Sequence, residues 1–248
     1  MVQQLESSPV RPLERVVPSS QEKESSQLDI EIEQCQEQFV QSVEWYQQVL
    51  AGKKLQETVP QLTSDLLKNE AGNPPLEVAT EFFALVSTVE SIYTGRHRPN
   101  WEQAEAALHI IFPYSPTEVQ RILMAPGEGK TFTIALAALW KARHGEMVTI
   151  HTDKKANVEQ SYQTTRHLYD LFEVTSDTVR TTEDLGPEYV AYLNSELTQV
   201  RYGVWSQFIH EYLLRQETIF QGEAALRGDL RAQREGKVRV GNRQLLDQ

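Results

Sequence analysis

A single cysteine, Cys35, is all the thiol chemistry this chain has. An internal disulfide and a cysteine-built metal site are therefore both excluded, and a reducing compartment suits it. The six histidines, His97, His109, His144, His151, His167 and His210, fall with no H-x-x-x-H or H-E-x-x-H spacing, which removes the usual sequence basis for a zinc site. Long apolar runs are missing: none approaches the roughly 18 residues that span a bilayer, and no N-terminal segment resembles a signal peptide, so the expected address is cytoplasmic. Excess positive charge is missing too. A formal net charge of -11 gives no general attraction to nucleic acid or anionic lipid, so such a contact would need a local patch. One modest patch exists, Arg227, Arg231, Arg234, Lys237, Arg239 and Arg243 against Asp229 and Glu235. Without interleaved aromatics it has no stacking platform, and it reads as a solvated helix face followed by a short Val238/Val240 strand.

What remains is an ordinary globular composition, 248 residues of which 40% are hydrophobic, ample for a buried core. Residues 1–27, rich in Gln, Ser, Glu and Pro, read as a flexible tail. From Leu28 the apolar positions Ile32, Cys35, Phe39, Val43, Tyr46 and Leu50 recur every three or four residues up to Gly52, the stripe of an amphipathic helix. A short helix is expected over Pro60–Asn69, a turn over Gly72–Pro75, and a third helix over Leu76–Tyr93, with Val78, Phe82, Leu85, Val89 and Ile92 on one face. Residues 28–97 thus form an all-helical region, read as a bundle packing its stripes together or as a docking surface for a protein partner. After Pro99 the pattern changes to helices alternating with β-rich runs at Met147–Thr152 and Val200–Val204. The expected fold class is α/β, a RecA-like parallel-sheet layer, incomplete, over residues 98–248.

The chemistry concentrates in Met124–Thr131, M-A-P-G-E-G-K-T. Gly127 and Gly129, flanking Glu128, let backbone N–H groups close on phosphate oxygens without Cβ clashes. The Lys130 ammonium suits β- and γ-phosphates, and the Thr131 hydroxyl suits Mg²⁺. The run Phe132–Arg143, rich in Ala and Leu, predicts a helix whose N-terminus faces the phosphates. A strand Ile122–Met124 before the loop and another at Met147–Thr152 complete the expected β-α-β setting.

The block M-A-P-G-E-G-K-T resembles the loop of the SecA preprotein translocase ATPases, which begin it with Met where the usual pattern has Gly. Arg98-Pro99-Asn100-Trp101-Glu102-Gln103 is similar to that family's R-P-x-x-x-Q segment, and the resemblance implies that Arg98 and a glutamine, Gln103 or Gln120, face the adenine side. Val148–Asp153 looks like the second motor strand. Val200-Arg201-Tyr202-Gly203-Val204, with Phe208 and Tyr212–Arg215, is similar to the T-Y-G-T and F-D-Y-L-R-D segments, with Val204 replacing a threonine. The first hundred residues look unlike the family's usual N-terminus. The resemblance implies a divergent, truncated SecA-like motor domain binding ATP and Mg²⁺. Its partners would be unfolded polypeptide and a membrane translocation channel, and its place peripheral to the membrane. The competing expectations are a helicase-like nucleic-acid-dependent NTPase fragment, which the acidic balance disfavours, and a non-catalytic helical interaction protein with a vestigial loop.

Hydrolysis in this motor class needs an Asp on Mg²⁺ and a Glu orienting water, and the chain has no D-E-x-D. Its nearest substitute is Leu245-Leu246-Asp247-Gln248, where Asp247 is a weak candidate for the metal-binding acid and Gln248 cannot act as a base.

Overall fold

The computed structural model describes residues 21–68, 75–95, 100–113, 122–125, 127–194 and 197–216. The chain divides into two compact units, Met1–Thr133 and Ile134–Gln248.

The first unit is helical. Helix α1, Gln21–Leu50, starts seven residues ahead of the expected Leu28, because Gln, Glu and Lys are strong helix formers and carry the helix back through the Ser pair. Its stripe is Ile32, Cys35, Phe39, Val43, Tyr46 and Leu50, all buried. Burial pushes up the pKa of the Cys35 thiol and, with help from neighbouring Glu81, that of the Tyr46 hydroxyl, which donates to Glu81 at 3.1 Å. Helix α2, Leu55–Lys68, contains Pro60 where a helix start was expected. The proline removes one backbone bond, while Leu55 and Val59 ahead of it are buried and keep that first turn in place. Helix α3, Pro75–Thr94, opens on proline, whose fixed φ and missing N–H suit a first turn.

Val78, Ala79, Phe82, Phe83, Ala84, Leu85, Val86 and Val89 of α3 are buried nearly all round its circumference, which makes it the central helix of this unit. Its two buried threonine hydroxyls are handled locally: Thr80 donates to the Leu76 carbonyl at 2.8 Å and Thr88 to the Ala84 carbonyl at 2.9 Å. Helix α4, Trp101–Ile111, is N-capped by Asn100, whose side chain accepts the Gln103 N–H at 3.3 Å. Trp101 packs on Phe39 with ring centroids 5.5 Å apart. The helical stripes thus face one another, as a bundle.

Residues 122–125 lie in no strand, which corrects the expectation for Ile122–Met124. Leu123 is 96% exposed, and an apolar run this short buries too little to form a sheet strand.

Helix α5, Lys130–Arg143, carries the boundary between the units. The second unit continues with strand β1, Val148–Thr152, helix α6, Lys155–Leu171, and strand β2, Ser176–Thr178. After two short helices, α7, Thr182–Leu185, and α8, Tyr189–Asn194, comes strand β3, Val200–Val204. A helix over residues 205–216, α9, follows. The three strands form one parallel sheet in the order β1-β3-β2, with Val148 and Ser176 both level with Val200. This is the α/β layer, a partial RecA-like sheet preceded by helices. Strand β2 escaped sequence reading because Ser-Asp-Thr has weak strand preference.

Central β3 is tied to α6 by buried hydroxyls: Tyr202 meets Tyr169 at 2.6 Å and Thr165 at 2.9 Å. Burial raises the pKa of both tyrosines, so they stay neutral and serve as hydrogen-bonding groups within the core. Among the described residues no helix is long and apolar enough to cross a membrane.

Phe82→Ala, which empties the centre of the helical unit, should lower the stability of that unit by about 3–5 kcal/mol in urea unfolding followed by circular dichroism.

Candidate functional site

The glycine-rich loop belongs to the first unit. Gly127 has φ +89° and Gly129 φ +83°, left-handed values that a residue bearing Cβ rarely takes. Gly129 has a second reason to be glycine: a Cβ there would sit 2.2 Å from Gln103 Nε2. That amide approaches because it donates to the Glu128 carbonyl at 2.7 Å. Within the trans peptide joining the two residues, the C=O and N–H point in opposite directions. Gln103 therefore holds the Gly129 N–H turned away from itself.

Gly129 also caps α5, its carbonyl accepting the Phe132 N–H at 2.9 Å and the Thr133 N–H at 3.1 Å. The N–H groups of Lys130 and Thr131, in the first turn, lack intrahelical acceptors by helix geometry, and the positive end of the α5 dipole lies there. Lys130 is exposed and Thr131 half-buried. The first turn of α5 thus presents backbone donors at the positive end of a helix dipole, with Lys130 its first residue.

Next to the loop, Asn100, Glu102, Glu105, His109, Leu123 and Glu128 help line a cavity of about 410 Å³. Burial raises the Glu105 pKa, with His109 pulling the other way. The cavity lies along the Glu102/Glu105/His109 face of α4, whereas Gln103 leaves the helix toward Gly129. Of the residues expected at the site, the structure brings Gln103 to Glu128 and Gly129 and groups them with Gly127, Lys130 and Thr131. Arg98, Gln120 and Asp247 lie outside the described residues, as does the basic stretch Arg227–Arg243. Among the described residues no cluster of three or more His, Cys, Asp or Glu side chains is placed to hold a metal ion.

The second unit has its own polar centre around β3. Arg201, 7% exposed, pairs with Glu211 of α9, 2% exposed. Arg215 donates to the other Glu211 oxygen at 2.7 Å, and Arg201 also donates to the Tyr192 hydroxyl at 2.7 Å. Each carboxylate oxygen thus has a cationic partner, the condition under which buried charge is tolerated. The compensation of Arg201 by Glu211 is not legible in the sequence, since their contact joins a strand to a helix ten residues on.

The C-terminal ends of parallel strands are where α/β sheets hold their ligands. Here that edge carries His151, packed between Trp205 at 5.0 Å and Phe208 at 4.5 Å, and desolvation lowers the His151 pKa. It also carries Lys155, paired with Asp184 at 2.9 Å.

The SecA DEAD-like domain family matches residues 13–231, most of the chain. The chain belongs to that family. The match starts at residue 13, so the helical region that looked unlike the family's N-terminus lies inside it. The SecA DEAD-like family is one of ATPase domains associated with protein translocation. A comparison with curated proteins finds no match.

Two outcomes follow from the second unit. Glu211→Ala strands Arg201 without its carboxylate and should reduce stability by about 3–5 kcal/mol in denaturant titration. The hydrogen bonds from Lys155 and Thr181 hold the Asp184 carboxyl down from its ordinary 3.8 to about 2. Because the folded value is depressed, that contribution is complete above about pH 4 and disappears as pH falls toward 2. Thermal melts across this window should fall less steeply for Asp184→Asn than for the parent chain.

Proposed function

We propose that this chain binds ATP·Mg²⁺ at the glycine-rich loop and acts as the first nucleotide-binding part of a SecA-type motor. The backbone of Gly127, Glu128 and Gly129 would surround the phosphates, Lys130 would neutralise their charge, and Thr131 would ligate the metal. Gln103 shapes the loop from behind, and Arg98 would reach the adenine side. The observation that carries the reading is the pair of positive-φ glycines at the start of α5, with the Glu128–Gly129 peptide pinned by Gln103 at 2.7 Å.

The residues present fit the group. A Cβ at Gly127 would meet nothing within 4 Å, so the loop is open on that side, and the α5 N-terminus offers donors and positive potential to an anion. Bound Mg²⁺ would supply charge neutralisation at the phosphate oxygens. The chain's own residues bind and orient, but without a D-E-x-D stretch they offer no recognisable carboxylate pair to hold metal and polarise water. Nucleotide binding without appreciable turnover is the behaviour proposed for these 248 residues. Coupling to unfolded polypeptide and to a membrane channel is proposed from family membership.

The test is titration with a fluorescent ATP analogue with and without Mg²⁺, beside Lys130→Ala, followed by a phosphate-release assay. Mg²⁺-dependent binding that the variant loses by about tenfold or more, with phosphate release at background, is expected. Equal binding by the variant would overturn the assignment of the loop.

A further inference from the structure

Both ends of the Gln103 amide are closed to a ligand. Nε2 donates to the Glu128 carbonyl at 2.7 Å, and Oε1 is buried with no hydrogen-bond partner among the described residues. Chemistry fixes which end faces the loop: only the NH₂ end can meet a carbonyl, because Oε1 there would set two acceptors against each other. A glutamine that reads adenine needs both ends, the oxygen to accept from the exocyclic amine and the NH₂ to donate to a ring nitrogen. In Gln103 one end is committed to the loop and the other is shut off from solvent.

What the contact controls is the Glu128–Gly129 peptide. Gly129, at φ +83°, has no side chain to restrict the rotation of that peptide, so a hydrogen bond is left to fix its direction. With the C=O on Gln103, the Gly129 N–H turns the opposite way, one residue ahead of the start of α5 at Lys130. Reversal of the peptide would put a C=O where the N–H stands, exchanging attraction of an anion for repulsion.

We infer that Gln103 is a positioning residue for the polyphosphate and not a reader of the base. It acts through the Glu128–Gly129 peptide, so its contribution is the same for any nucleoside triphosphate and for a polyphosphate with no base at all. This rests on the phosphate-binding reading of the loop and states what Gln103 selects there. Asn100 supports the role: its side chain accepts the Gln103 N–H at 3.3 Å and steadies the turn of α4 from which the amide reaches the loop.

The experiment uses the full chain with Gln103→Met, Gln103→Glu and Lys130→Ala. ATP, GTP and inorganic tripolyphosphate, each with Mg²⁺, displace the fluorescent ATP analogue, and thermal melts followed by circular dichroism verify that each variant is folded. Gln103→Met keeps the length and packing of the side chain and removes the donor. Gln103→Glu keeps its shape and sets a carboxylate against the carbonyl. Gln103→Met should weaken all three competitors by a similar factor, about two- to tenfold for one lost hydrogen bond, and Gln103→Glu by at least as much. A side chain that only packed would leave Gln103→Met at parental affinity. Weaker ATP binding with tripolyphosphate unchanged makes Gln103 a base reader and overturns the inference, as does parental affinity in Gln103→Met. In either case, continued loss of binding in Lys130→Ala leaves the phosphate loop standing. Parental binding by Lys130→Ala overturns the loop assignment and this inference with it.

Discussion

One hydrogen bond, from Gln103 Nε2 to the Glu128 carbonyl at 2.7 Å, sets the shape of the loop on which the account depends. It fixes a peptide plane, and that plane decides which way the Gly129 N–H faces. It gives Gly129, already at positive φ, a second reason to be glycine, because a Cβ there would displace the amide from the Glu128 carbonyl. It also couples α4 to the loop: Asn100 caps the first turn of α4 on the Gln103 N–H, so the residue that begins the helix also steadies the residue that holds the loop. A helix start and the shape of the loop are built from a few neighbouring side chains.

In the second unit charge is handled differently. Strand β3 is buried in the middle of a parallel sheet, where an apolar run is the usual content, yet it carries Arg201. The cost of burying that guanidinium is offset by Glu211 and the Tyr192 hydroxyl, which arrive from α9 and α8, while Arg215 holds the second Glu211 oxygen. A buried pair of this kind adds little net stability while it is intact, but loss of either partner leaves an uncompensated buried charge. The tyrosines at 162, 169 and 202 do comparable work on the other side, joining α6 to β2 and β3 through hydroxyls.

Much of this was legible in the residues themselves. The α1 stripe from Ile32 to Leu50 and the glycine spacing around Glu128 follow from periodicity and steric rules, and the structure buries or turns those residues accordingly. The family was legible from the same loop. Less legible were features set by contacts distant in sequence. Ile122–Met124 has the composition of a strand but no neighbour to pair with among the described residues, and Ser176–Thr178 has the composition of a turn yet pairs with β3. The partnership of Arg201 with Glu211 depends on how a helix returns to a strand, which no local pattern records. Gln103 was expected to face adenine, or else Gln120. Its grip on the Glu128 carbonyl emerges only when a helix and a loop 25 residues apart are placed together.

The claim that the loop at the head of α5 receives the phosphates is tested most directly by amide hydrogen exchange on the full chain with and without ATP and Mg²⁺. Slowed exchange is expected first and most strongly at the amides of Gly127 to Thr131, with α1, α2 and α3 unchanged. Protection confined to other segments, or no change at those five amides at saturating nucleotide, would contradict it.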